Sequence, residues 1–345
     1  MSRPIVVGST LTLVQAACGL LDPGSADRVG CLPEYEEVQH VAAAELANHG
    51  VQDAALLVRV KGRTVCRLFF GSYRPATRVP TASAAKWLSA GAILAVIDRD
   101  RLSLDATTSD LFPDAPPTTA SITLAQLISH TSGLLWFSRC MGRPSYTLQE
   151  CAEQILEGDV HFPAGTGFFY AGPPFTVAGG MAERAMGRPW EEIFRSLIAE
   201  PLGMSNTSYG PSSNPALSEG EVVSTLDDYG AFAEMVLDHG RRGNRRVLSS
   251  DAIREMRRPW SAGAPVVFSP RGEMPYGLGA WIEATDETST GTVLSSPGIG
   301  GFVPLVDFDR RMVFIFETIG DIERIWPAVT EILRQAREAA DAAAP

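Results

Sequence analysis

Ser83 and Lys86 stand three residues apart in Ser83-Ala84-Ala85-Lys86, inside a stretch that is otherwise almost wholly apolar. Residues three apart share a helix face, so the lysine amine can approach the serine hydroxyl, and the alanines between them leave room for a substrate. A buried amine is favoured in its neutral form and can then take the hydroxyl proton, while the amino end of a helix stabilises an oxyanion forming beside it. Of the 29 basic residues only two, Lys61 and Lys86, are lysine. Arginine stays charged in proteins whereas lysine can give up its proton, so a lysine kept against that bias points to proton transfer. Lys61, in Val60-Lys61-Gly62-Arg63, falls where a hairpin turn is expected and needs no such role. The pattern predicts a nucleophilic Ser83 activated by Lys86.

Other catalytic devices are missing from the chain. It has no G-x-S-x-G elbow, no H-E-x-x-H pair, no phosphate-binding loop and no complete G-x-G-x-x-G. The histidines at 40, 49, 130, 161 and 239 lack ligand-like spacing. No metal and no cofactor are expected.

The apolar stretch 83–98 has hydrophobic residues nearly all round, which predicts a helix buried on every side. Ahead of it, Val38, Val41, Ala42 and Leu46 predict a helix over 34–48, and 55–60 and 64–70 read as a β-hairpin. Helical patterns recur at 124–130, 148–156, 175–186, 190–199 and 226–237. The last third returns to strand composition at 278–283, 292–296, 303–308 and 312–317, before an amphipathic helix over 322–342. Strands at both ends with helices between them predict an α/β (α+β) fold: one antiparallel sheet flanked by helices, with an all-helical region inserted. The expected divisions are 1–31 as leader and spacer, 32–80 plus 212–345 as the α/β domain, and 81–211 as the helical domain. Ser83 then lies at the junction of the two, where ligand clefts commonly form.

The chain of 345 residues is 45% hydrophobic and 20% charged, an ordinary globular composition. Its net charge of -11 would repel a phosphate backbone, which argues against nucleic acid as a partner. No uninterrupted apolar run reaches 18 residues, so no membrane-spanning helix is expected.

Four further segments, in order, carry a family resemblance. Thr123-Leu124-Ala125-Gln126-Leu127-Ile128-Ser129-His130-Thr131-Ser132-Gly133-Leu134 resembles the T-L-x-x-L-L-x-H-T-S-G-L signature of the serine β-lactamase-like hydrolases, which include class C β-lactamases, DD-peptidases and related esterases. Glu200-Pro201-Leu202-Gly203-Met204-Ser205-Asn206-Thr207, Val223-Ser224-Thr225-Leu226-Asp227-Asp228 and Tyr276-Gly277-Leu278-Gly279 are similar to its P-L-G-M-x-x-T, V-S-T-x-x-D and Y-G-L-G segments. The resemblance runs from about residue 34 to 335 and implies the serine β-lactamase/DD-peptidase fold. It also makes Tyr170 the tyrosine of the family's Y-x-N motif, a phenol that can pass a proton to the leaving group. Here Gly172 replaces the asparagine that grips an acylamino side chain. The third motif, K-T-G or H-T-G, corresponds to Ser296-Pro297-Gly298, which lacks the cation or imidazole; with Gly172 these three residues are the expected substrate-binding positions. The backbone N–H groups of Ser83 and Ile299 would form the oxyanion hole. His130 and Trp136 are read as structural residues.

The resemblance implies a small ester, amide or lactam as substrate. Without the groups that meet a substrate carboxylate, an esterase of small or medium acyl esters is favoured. The alternatives are a β-lactamase or D-Ala peptidase-like activity, a transacylase, or a catalytically impaired binding or sensing relative.

The cysteines at 18, 31, 66, 140 and 151 form no C-x-x-C pair. Residues 4–17 carry no charge and run into Ala16-Ala17-Cys18-Gly19, which resembles a lipoprotein export signal with a lipid anchor at Cys18. Export leaves four cysteines for two disulfides. Cys140 with Cys151, closing a loop worth roughly 3 kcal/mol, is the better pair, with Cys31 and Cys66 the remainder. The protein is then exported, periplasmic or membrane-anchored; a cytoplasmic enzyme with free thiols is the alternative.

Overall fold

The first strands of the chain pair with the last ones. Seven strands, β1 (Gly30–Cys31), β2 (Ala54–Val60), β3 (Arg63–Phe70), β4 (Trp281–Thr285), β5 (Gly291–Ser295), β6 (Val303–Asp307) and β7 (Met312–Thr318), form one sheet in the order β1-β3-β2-β7-β6-β5-β4. Every pairing in it is antiparallel, and β2 meets β7 in register from Val60↔Met312 to Ala54↔Thr318. Both of these central strands are buried along their full length, because helices cover both faces of the sheet. The computed structural model describes residues 29–218 and 222–343.

One face carries α1 (Glu36–Asn48) and the terminal helix α5 (Ile322–Ala342), whose Val38, Leu46, Val329 and Ile332 pack onto Leu56, Phe314 and Phe316. The other face carries α2 (Ala85–Ile97) and α4 (Leu226–Leu237). Every residue of α2 from Ala85 to Val96 is buried, which is why its sequence has no polar face. Close approach depends on Gly91, where a Cβ would lie 2.7 Å from the Phe232 ring. The helix α3 (Pro173–Met186) packs on α2 from the side of the inserted helices.

Local chemistry sets the element boundaries. Thr147 and Thr225 cap Leu148–Leu156 and α4 through their side-chain oxygens, and both helices begin where the sequence places them. Pro173 and Pro174 open α3 two residues before the expected 175, since the first helical turn has no use for the proline N–H. The helix expected over 124–130 stops at Ile128, because His130 takes a left-handed φ of 61°. The strand expected from 278 starts at Trp281, because Gly279 turns the chain with φ 82°. The segment 190–199 is α-helical over Trp190–Phe194 and then makes one π turn, Arg195–Ala199.

The disulfides Cys31–Cys66 and Cys140–Cys151 are both present, the first joining β1 to β3. Cys18 and its anchor lie outside the described residues. Trp136 is 67% exposed, beside an exposed Phe137, so the packing role expected of it is not the one it has. Among the described residues no helix is long and apolar enough to cross a membrane, and no cluster of His, Cys, Asp and Glu is arranged to hold a metal.

Candidate active site

Val79–Pro80 pairs with Val223–Ser224, and both the N–H and the hydroxyl of Thr81 donate to the Val222 carbonyl, at 2.8 and 3.0 Å. The chain is thereby pinned just before Ala82, which takes a left-handed φ of 46°, a conformation that costs a residue with a side chain about 1 kcal/mol or more. This bend carries Ser83 onto a single 3-10 turn, Ala82–Ala84, that runs into α2. Between Thr81 and Val96, Ser83 alone is not buried.

Lys86 follows on the same face. It is buried, and its Nζ donates to Ser83 Oγ at 3.2 Å and to the Ser218 carbonyl at 2.8 Å. Two phenols steady this first turn, Tyr229 donating to Ala84 O at 2.8 Å and Tyr209 to Ala85 O at 3.3 Å.

Tyr170 arrives from the short strand Phe168–Phe169, which pairs in parallel with Val266–Phe268. Its own N–H donates to Phe268 O at 3.1 Å, and α3 begins three residues later with Gly172 as its N-terminal flank. The half-buried ring stacks on Trp281 with centroids 5.1 Å apart, and Lys86 Nζ lies 4.6 Å from its centroid. Behind it sits His130, 4.5 Å between ring centroids. Burial, and then the Lys86 charge, hold the His130 imidazole well below its usual pKa of 6.5, so it is neutral.

The third segment comes from the end of β5. Gly298 packs directly on Thr81, and Ile299 beyond it is 72% exposed. The amides of Ser83 and Ile299 have no acceptor among the described residues. Ser296 is buried, and its hydroxyl donates toward Ser83 O (3.4 Å) and Gly279 O (3.3 Å) rather than into open space. Two arginines reach β5: Arg257 donates to Gly291 O at 2.7 Å, at the end of the strand away from Ser296, and Arg271 reaches Ser295 at 3.5 Å while pairing with Glu283 at 3.0 Å. Side chains alternate along a strand, so Ser295 and Arg271 belong to the face opposite Ser296.

The remaining motifs brace this arrangement. Thr123 and Gln126 form a reciprocal cap on Leu124–Ile128. Asp228 accepts from Asn206 N at 2.7 Å and Thr207 Oγ1 at 3.0 Å, tying the P-L-G-M segment to the V-S-T segment. Gly279 lies where a Cβ would meet Lys86 O at 2.8 Å. The family model described as Beta-lactamase matches residues 38–318. The chain belongs to the β-lactamase family.

The chain is also similar to individual proteins. Esterase EstB of Burkholderia gladioli is 29% identical over 147 residues, 37% of this chain and 37% of that protein. Penicillin-binding protein 4 of Amycolatopsis lactamdurans is 26% identical over 251 residues, 61% of this chain and 66% of that protein. The chain thus spans less than two thirds of either relative. The solved structure of a candidate β-lactamase from Bacteroides dorei DSM 17855 is 29% identical, covers 87% of this chain and 99% of that one, and has a TM-score of 0.78.

Sequence reasoning brought Ser83, Lys86, Tyr170 and Gly298 to one place. It missed Ser218, whose part is played by a backbone carbonyl and has no side-chain signature. Trp281, two residues after the Y-G-L-G segment, was the aromatic signal available for the platform under Tyr170.

Proposed function

We propose that this β-lactamase-family protein is an exported serine esterase that acts on uncharged esters of small or medium acyl groups through an acyl-Ser83 intermediate. In the reaction the Ser83 hydroxyl proton passes to Lys86 as Ser83 Oγ attacks the ester carbonyl carbon. The resulting oxyanion is met by the Ser83 and Ile299 amides, which need no reorganisation to receive it. Collapse breaks the ester C–O bond, and the leaving alkoxide takes a proton by way of Tyr170. Water then attacks the acyl-enzyme, releasing the acid and restoring Ser83. Ser218 O keeps the lysine aimed at the serine, and Gly298 lets the Ile299 amide approach.

The observation that carries the ester assignment is the third motif. Lactam antibiotics and peptides ending in D-alanine carry a carboxylate close to the reacting carbonyl. An ion pair to it at ~4 Å and an effective dielectric of ~20 is worth up to about 4 kcal/mol before desolvation is subtracted. Here Ser296 is neutral and turned to backbone carbonyls, Pro297 has no N–H, and Arg271 is paired with Glu283. Gly172 supplies no amide to grip an acylamino group. An uncharged ester needs only the nucleophile and the oxyanion hole. The likeness to Esterase EstB supports the same reading, and the two disulfides support export.

The test is kcat/KM of the purified protein for p-nitrophenyl esters of increasing chain length, nitrocefin and a peptide ending in D-Ala-D-Ala. The best ester is expected to exceed nitrocefin and the peptide by at least about 10²-fold. Nitrocefin equal to or above the best ester would overturn the ester assignment. Penicillin-binding protein 4 favours the peptidase reading, and a peptide turned over faster than every ester would establish that reading instead.

A further inference from the structure

His130 is buried, in a left-handed turn with φ 61°. Residues with a side chain adopt that backbone at a cost, and here three contacts to three consecutive residues accompany it. The His130 carbonyl accepts the Phe169 N–H at 2.9 Å. Its Nδ1 accepts the Ala171 N–H at 3.4 Å. Its ring lies against the ring of Tyr170, between those two, with centroids 4.5 Å apart. Both neighbours of Tyr170 therefore hang on one residue.

The His130 ring has no freedom to follow a swing of the phenol. Phe168, Phe175 and Tyr276 enclose it, with centroid distances of 6.0, 5.4 and 4.8 Å. Because Nδ1 accepts a hydrogen bond, the neutral ring carries its proton on Nε2. Lys86 Nζ lies on the same Tyr170 ring, 4.6 Å from its centroid, so the phenol is held between the imidazole and the lysine amine.

We propose that His130 is the positioning residue for Tyr170, holding the phenol in line with the Ser83–Lys86 pair; this rests on Tyr170 being the proton donor to the leaving group. A side chain that only fills the core would affect every substrate alike. A side chain that aims the acid affects the substrates that need the acid. Ethyl butyrate expels a strongly basic alkoxide and needs the proton, whereas p-nitrophenyl butyrate, with the same acyl group, expels a stable phenolate and does not.

The experiment compares kcat/KM for these two esters in the full-length protein and three variants. Tyr170→Phe sets the reference, with the ethyl to p-nitrophenyl ratio expected to fall by about 10²-fold. His130→Gly keeps the left-handed turn and the carbonyl but removes the ring and Nδ1, and should lower the ratio about thirtyfold. His130→Asn tolerates the same backbone and offers Oδ1 near the place of Nδ1, so it should lower the ratio only three- to tenfold. Equal losses on the two esters, or none, in a His130→Gly protein with native near-ultraviolet circular dichroism would overturn the proposal. If that variant does not fold, the same ratio in His130→Asn decides, and an unchanged ratio overturns it. A ratio shifted by Tyr170→Phe but not by the His130 variants removes the positioning role alone. A ratio unmoved by Tyr170→Phe removes the acid assignment, and the positioning role with it.

Discussion

Gly298 is packed so tightly on Thr81 that a Cβ built on it would lie 2.3 Å from the Thr81 carbonyl oxygen. Any side chain there must push the end of β5 away from the turn that carries Ser83, and the Ile299 amide moves with it. Gly298→Ala should therefore lower kcat on p-nitrophenyl butyrate by about 10²-fold, the usual cost of losing one oxyanion donor. Thermal melting beside the kinetics separates this from unfolding. A variant keeping more than about a tenth of wild-type kcat would show that the Ile299 amide is not needed.

Lys86 spends one donor on Ser218 O and one on Ser83 Oγ. An arginine would keep the charge but neither fit these two acceptors as a point donor nor receive a proton. Lys86→Arg is expected to lose at least about 10³-fold in kcat, of order 4 kcal/mol, and Ser83→Ala at least as much. Near-normal turnover by Lys86→Arg would move the proton-acceptor role elsewhere.

Glu317, on β7, is fully buried, and burial raises its carboxyl well above the usual 4.5; the nearby Asp227 charge adds to this and the Leu226 N–H offsets only part. Below about pH 4.5 the group is protonated folded and unfolded alike and has no effect on stability. Above it the unfolded chain ionises while the folded carboxyl stays protonated, so stability is lost as pH rises toward the folded pKa. Replacing it by the uncharged Glu317→Gln removes that loss. The melting temperature of the variant minus that of the wild type should grow by several degrees between pH 4 and pH 7.5. A difference that stays constant over that range would mean that Glu317 is already ionised in the folded protein.

How far the sequence could be read depended on whether a signal was carried by side chains close together in the chain. Ser83 and Lys86 share one helix turn, and Leu148–Leu156 and Leu226–Leu237 follow their threonine caps, so all were legible locally. Tyr170 and Gly298 reach the site from distant segments, and only the family resemblance pointed to them. The left-handed turn at His130 could not be read, because the rings and amides that hold it come from residues 168–171, 175 and 276. Ser296 was expected to face a substrate, but it is buried and its hydroxyl turns to Ser83 O and Gly279 O, carbonyls of segments distant in the chain. The exposure of Trp136 was not legible either, since its residue type fits core and cleft lining equally.

The most direct measurement of the central claim is covalent labelling of the purified wild-type protein with a fluorophosphonate, followed by peptide mapping. One adduct per chain is expected, on the oxygen of Ser83, with ester hydrolysis lost in proportion to labelling and no adduct on Ser83→Ala. An unlabelled protein, or an adduct on any other residue while ester hydrolysis is lost, would contradict Ser83 as the nucleophile.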